Sequence, residues 1–298
     1  VIATKPARLP RAGRVPAGRP RCAAYTFRMS TVAFIGGGNM AGALIGGLLQ
    51  SGRPASSILV VEPVEAQRVK LLQTFGVVAL PAAAPALSQA GIVVWAVKPQ
   101  LFKEAAAPCA GRVSQALQLS VMAGIPSEAI VRATGSEAVV RAMPNTPALI
   151  GQGIAGLYAR PAVTEAQKAE VQALLAPTGR TLWVQQEADL DAVTALSGSG
   201  PAYVFYVVEA MMAAAEKMGL STEQGRELAL ATVAGAAALA QQSDESPAVL
   251  RERVTSKGGT TYAALTSLEK DGVRDAFVRA LQAAQARARE LGDEFGKA

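Results

Sequence analysis

Two stretches of this chain hold residues whose types and spacing can do chemistry. In Thr255-Ser-Lys-Gly-Gly-Thr-Thr-Tyr262, three threonines and a serine surround two glycines, and a helical segment follows from Tyr262 to about Glu269. Such a loop offers hydroxyl donors, free backbone N–H groups and the positive end of a helix dipole, which together suit a small carboxylate. The plainer reading makes Thr260 or Thr261 a helix cap. The second stretch is Gly36-x-Gly38-x-x-Ala41, which fits the fingerprint of a dinucleotide site. One glycine turns the chain, one lets backbone approach a pyrophosphate, and a small third residue packs helix on strand.

Elements on either side must position these groups. Thr31 to Ile35 is a β-branched and aromatic run, and helical spacing begins at Met40, Leu44 and Leu48, so the fingerprint lies on a strand–turn–helix unit. The run Ile58-Leu-Val-Val61 ends in Glu62, where a carboxylate can accept from an adenosine ribose and repel a 2′-phosphate, favouring NADH; a strand-end acid without a role fits equally.

Alternation of short apolar runs with helical segments continues. Expected strands are Val77-Val78, 92–97, 118–122, 138–143, 153–158 and 181–184. Expected helices are 66–75, 82–89, 101–109, 127–134 and 165–175. This predicts an α/β fold, a doubly wound sheet of Rossmann type. Its ligand-facing rim gathers the turns after the strands: Gly36 to Met40, Glu62-Pro63, Val97-Lys98-Pro99, Ala123-Gly124 and Met143 to Pro147. Lys98 reads equally well as an exposed turn lysine.

From about Asp189 the composition shifts to helix formers, with helices expected over 191–196, 203–218, from the capping box Ser221-x-x-Gln224 to about Gln242, and over 247–254. Small residues crowd the two long helices, which favours a dimer interface over an ordinary buried bundle. The division expected is therefore 1–28, a disordered basic tail; 29–188, a dinucleotide-binding domain; and 189–298, an all-α dimerisation and substrate domain.

Composition narrows the chemistry further. The chain of 298 residues carries a formal charge of +6, but Lys5, Arg8, Arg11, Arg14, Arg19, Arg21 and Arg28 all lie in the tail, ahead of the first acid, Glu62. Beyond the tail the charges nearly balance, so the folded part has no polyanion footprint and no nucleic-acid partner is expected. Met29 reads as a natural start; an organelle-targeting role for the leader conflicts with its prolines. There is no histidine, which removes imidazole acid–base chemistry and most zinc sites, and no metal is expected. Cys22 and Cys109 form no framework, which fits a reducing, cytoplasmic setting. Neither uncharged window, 29–52 nor 71–97, is a continuous apolar span, and no membrane segment is expected.

Five blocks in this order carry a family resemblance: Phe34-Ile-Gly-Gly-Gly-Asn-Met-Ala41, Ala96-Val-Lys-Pro99, Arg141-Ala-Met-Pro-Asn-Thr-Pro-Ala148, Asp191-Ala-Val-Thr-Ala-Leu-Ser-Gly-Ser-Gly-Pro-Ala-Tyr203 and Ser256-Lys-Gly-Gly-Thr-Thr261. Together they resemble pyrroline-5-carboxylate reductases from about Met29 to the C-terminus. The resemblance implies NADPH- or NADH-dependent reduction of 1-pyrroline-5-carboxylate to L-proline, the last step of proline biosynthesis, by a homodimer, often in a ring of dimers (a homodecamer), with the active site between subunits. It implies cofactor contacts at Gly36, Gly37, Gly38, Asn39, Met40, Glu62, Ala96, Val97, Lys98, Pro99, Ala123, Gly124 and Asn145. It implies a substrate cradle of Ser256, Gly258, Gly259, Thr260 and, more loosely, Glu187, with Thr261 as donor to the imine nitrogen. Two positions depart from the pattern. Lys257 stands where relatives commonly carry Pro, and Glu62 where NADPH-preferring relatives can carry a small hydroxyl residue.

Overall fold

The computed structural model describes residues 30–296, so the expected tail over 1–28 and the start at Met29 lie outside the described residues. Strand β1 (Thr31–Ile35) alternates its side chains between two cores: Val32 and Phe34 face one, Ala33 and Ile35 the other. Helix α1 (Asn39–Gln50) follows, then β2 (Ile58–Val61), α2 (Glu65–Phe75), the two-residue β3 (Ala79–Leu80), β4 (Ala90–Trp95) and α3 (Phe102–Ala106). The sheet is completed by β5 (Leu117–Ser120), α4 (Ser127–Thr134), β6 (Val139–Met143), β7 (Gly153–Ala159), α5 (Glu165–Leu175) and β8 (Gly179–Trp183).

The strand order is β3-β2-β1-β4-β5-β6-β7-β8. All neighbours are parallel except β6 and β7, so the last two strands run against the rest. The order reverses between β1 and β4, which places a crevice beyond their carboxyl ends. Buried apolar side chains cover both faces, and one polar side chain in that interior, Gln118, is fully engaged. It accepts from Trp95 Nε1 at 2.9 Å and donates to the carbonyls of Val113 and Ala116.

Some local expectations shift. The strand expected at Val77-Val78 forms two residues later. The helix expected over 82–89 is a 3₁₀ segment, Pro85–Gln89, because Pro85 opens it and the chain enters β4 immediately afterwards. The segment 101–109 keeps one α-helical turn between 3₁₀ turns, the second containing Pro108.

Beyond the sheet come α6 (Asp189–Val193), a π-helical turn over Thr194–Gly198, α7 (Gly200–Lys217), α8 (Thr222–Gln242), α9 (Pro247–Arg253), α10 (Thr260–Lys270) and α11 (Val273–Gly296). Helices α7 and α8 form an antiparallel hairpin, close enough at Gly225 that an added Cβ would lie 2.9 Å from that of Ala215. Helix α11, 24 residues long, has no counterpart among the expected elements. It packs on α6, on the π-helical turn and on α10. Among the described residues no helix is long and apolar enough to cross a membrane.

Candidate active site

The turn after β1 is built around three contacts. Gly36 adopts φ +97°, a left-handed conformation that disfavours a side chain, and a Cβ there would sit 2.7 Å from the carbonyl oxygen of Ala96. Gly37 donates its N–H to Glu62 Oε2 at 2.8 Å. Gly38 is different: a Cβ there would meet nothing within 4 Å, so the space above it is open. Gly38 is also the N-cap of α1 and provides no side-chain cap, so the first N–H groups of α1, at Asn39 and Met40, point to that opening. Ala41, fully buried, packs the helix on the sheet. These features fit a pyrophosphate held by backbone.

Gly36 touches Ala96 and Val97, which brings the first turn against the stretch Ala96 to Pro99. Ala96 N–H donates to the Ile35 carbonyl at 2.8 Å, and Lys98 is exposed at the start of a 3₁₀ turn. Ala123 and Gly124 follow β5, the neighbour of β4, so they stand beside Ala96–Pro99. The sheet thus assembles the predicted cofactor stretches on one rim. A cleft of about 430 Å³ also opens at Gly38 and Asn39, but it runs along the outer face of α1 past Gly46 to Ile150 and includes none of the Ala96–Pro99 or Ala123–Gly124 residues.

Three acceptors or amides on this rim have structural partners. Glu62 is buried, and its second oxygen accepts from Val64 N–H at 2.8 Å, so the carboxylate ties the glycine turn to the end of β2. Asn145 accepts from Ile154 N–H at 3.0 Å and donates to the Ser197 carbonyl at 3.2 Å, joining β7 to the π-helical turn. Glu187, expected near the substrate, lies on the N-terminus of α4. It accepts from the Ser127 N–H at 2.6 Å and hydroxyl at 2.5 Å, and from Arg141 Nη1 at 2.8 Å. Burial alone would raise its pKa, but the Ser127 bonds and Arg141 outweigh this and hold it below the usual carboxylate range.

Sequence reasoning missed Ser127 and the role of Arg141. The acid and its partners are 60 and 46 residues apart, so only the fold pairs them. Nearby, burial pushes the carboxyl of Asp191 upward; Arg141 and Arg289 oppose this, and Asp293 and Glu187 add to it.

The hydroxyl loop joins α9 to α10. Its Thr255 hydroxyl donates to the Arg251 carbonyl, and Gly259 N–H donates to the Ser256 carbonyl at 3.0 Å. Gly259 is the N-cap of α10 and no side chain caps that helix. Neither Thr260 nor Thr261 therefore serves as the cap, and among the described residues neither hydroxyl has a hydrogen-bond partner. Ser256, Gly258 and Thr260 are exposed. Among the described residues no hydrogen bond joins this loop to the sheet.

The helical region also exposes large apolar side chains, among them Phe205 at 60% and Tyr206 at 73%. Helix α7 buries only Val208 and Ala215. An apolar helix surface left this exposed is of the kind a partner covers.

Residues 187–291 match the family model described as pyrroline-5-carboxylate reductase dimerisation, and residues 31–124 match NADP oxidoreductase coenzyme F420-dependent. The pyrroline-5-carboxylate reductase of Pseudomonas aeruginosa is 45% identical over 273 residues, 90% of this chain and 100% of that protein. Among solved structures, a pyrroline-5-carboxylate reductase from Coxiella burnetii matches with TM-score 0.83 and 36% identity, over 88% of this chain and 98% of that one. A pyrroline carboxylate reductase of Plasmodium falciparum, solved with NADP bound, matches with TM-score 0.78 and 28% identity, over 88% and 98%.

Proposed function

The chain belongs to the pyrroline-5-carboxylate reductase family, and from that premise we propose how its own residues divide the work. It is an NAD(P)H-dependent oxidoreductase that reduces 1-pyrroline-5-carboxylate to L-proline, and it is a homo-oligomer. The reduced nicotinamide, when bound, supplies hydride to the C=N carbon.

The backbone of Gly36 to Met40 holds the dinucleotide pyrophosphate at the N-terminus of α1. Ala96–Pro99 and Ala123–Gly124 form the walls against which the nicotinamide end is placed. The loop Ser256 to Thr261, with the free N–H groups of α10, receives the substrate carboxylate, and the Thr261 hydroxyl donates to the ring nitrogen. Reduction of the imine needs one proton at nitrogen as hydride reaches the carbon and no strong base, so positioning and one hydroxyl donor are enough, in agreement with a chain that has no histidine. Glu187 and Asn145 act behind the site as positioning groups. The observation that carries this reading is that α10 begins at an uncapped glycine, with two threonine hydroxyls uncommitted beside its N–H groups.

Helix α7 leaves large apolar side chains exposed and, among the described residues, no hydrogen bond joins the two loops within one chain, which supports a site completed by a dimer partner across the α7–α8 face. The domain division falls between β8 and α6, at about residue 188. Sparse cysteine usage supports a reducing, cytoplasmic setting. The test is oxidation of NADH and of NADPH with pyrroline-5-carboxylate as substrate. Turnover with at least one cofactor, forming proline, supports the reading; inactivity with both in the folded oligomer overturns it.

A further inference from the structure

Helix α11 ends against the loop that follows β5. Gly124 adopts φ +75°, and a Cβ there would lie 3.2 Å from Phe295 Cδ2 and 3.4 Å from the backbone of Leu291. From the other side, a Cβ on Gly292 would lie 3.6 Å from the Gly124 carbonyl oxygen, and one on Gly296 would lie 2.9 Å from Pro126. Arg132, on α4, donates to the Gly296 carbonyl at 3.1 Å. Residues 291–296 thus back Gly124, Pro126 and Arg132.

The loop is already held at its ends. Val121 N–H donates to the Trp95 carbonyl, Met122 N–H donates to the Ser120 hydroxyl, and Glu187 binds Ser127. Its middle, Ala123–Gly124, is backed by α11. Beside the Phe295 ring a cavity of about 400 Å³ opens among Pro99, Phe102, Ile125 and Ala129. Removing the ring would enlarge that space and leave the loop without its backing. The same helix packs on α10, which begins at the hydroxyl loop, and its 24 residues span about 36 Å.

We propose that the last turn of α11, centred on Phe295, is a positioning element that sets where the Ala123–Gly124 loop meets the nicotinamide. This rests on the assignment of that loop to the cofactor. The role assigned to Phe295 is indirect: it acts through Gly124, against which its ring packs.

The test uses the full-length oligomer. Phe295→Ala is expected to raise the KM for the cofactor by about fivefold or more, with the KM for pyrroline-5-carboxylate and the Tm little changed. Phe295→Leu restores most of the affinity. Arg132→Ala, an exposed change that leaves the core intact, shifts the same KM in the same direction by about twofold. Ala123→Val, which adds bulk on the loop itself, tests the assignment beneath the proposal. If Ala123→Val weakens the cofactor while the Phe295 and Arg132 variants do not, the positioning role is overturned. If all three leave the cofactor KM unchanged, the loop is not a cofactor contact and both readings fall. A rise of both KM values together with a fall in Tm would mark Phe295 as a packing residue only.

Discussion

Glu62 Oε2 accepts the backbone N–H of Gly37 at 2.8 Å, so the acid expected to meet the cofactor ribose also holds the glycine turn in place. Its other oxygen accepts from Val64 N–H. Each carboxylate oxygen has a second lone pair, so both bonds are compatible with acceptance from a ribose hydroxyl. The charge remains in either case, and a 2′-phosphate near it is repelled.

Glu62→Gln therefore separates the two roles. The amide keeps one acceptor for the backbone and removes the charge, so kcat/KM for NADPH rises relative to NADH by roughly fivefold, on the order of 1 kcal/mol. Glu62→Ala removes both acceptors, leaves two N–H groups unpaired and weakens both cofactors together, with a stability loss of about 2–4 kcal/mol. Steady-state kinetics with each cofactor and urea denaturation check the pair of outcomes.

The Glu187 carboxylate gives a pH-dependent stability. Its pKa is lower in the folded chain than in the unfolded one, so its contribution is fully present above the unfolded value and is lost as pH falls through the folded value. Glu187→Gln should cost about 1–3 kcal/mol at neutral pH, and the difference from wild type should shrink as pH drops below the ordinary carboxylate range. Denaturation midpoints over an acid pH series measure it; a gap independent of pH would exclude the ion pair as its source.

Legibility in the sequence followed the reach of local rules. The glycine turn, α4, α5 and α8 are set by short-range signals: glycines at a strand end, apolar spacing, and the capping boxes Thr164–Gln167 and Ser221–Gln224. The reversed direction of β7 is not in its alternation, which is the same for either direction. It follows from the connection between Met143 and Gly153, too short for a parallel crossover. Helix α11 has no counterpart among the expected elements although Val273, Phe277, Leu281, Ala284 and Ala288 recur at helical spacing; of its residues only Ala288 is buried in the single chain, so its apolar side shows its purpose only beside other elements. At the site, residue types pointed to the loops, whereas the partners of Glu187 and Asn145 depend on strand order.

Thr261 can be tested by what its loss does to turnover. If its hydroxyl donates to the ring nitrogen mainly in the transition state, Thr261→Ala lowers kcat about 10- to 100-fold while KM changes little. Thr261→Ser keeps the donor and should retain most of the rate. Thr260→Ala, at a position proposed to face the substrate carboxylate, should instead raise KM for the imine. A loss confined to KM in Thr261→Ala would assign that hydroxyl to ground-state binding.

The exposed apolar face of α7 ties activity to assembly. Phe205 and Tyr206 project from a helix that buries little within its own chain, so a charge at either position meets an apolar partner surface in the oligomer and water in the free chain. Phe205→Glu should weaken association by at least about 2 kcal/mol, or some thirtyfold in Kd. Sedimentation over a dilution series would show dissociation at concentrations where wild type stays assembled. If the site is shared between subunits as proposed, specific activity should fall along the same dilution curve, and it should recover as protein concentration is raised. Full activity in a dissociated Phe205→Glu chain would mean that one subunit contains a complete site, and the shared-site reading would have to be given up.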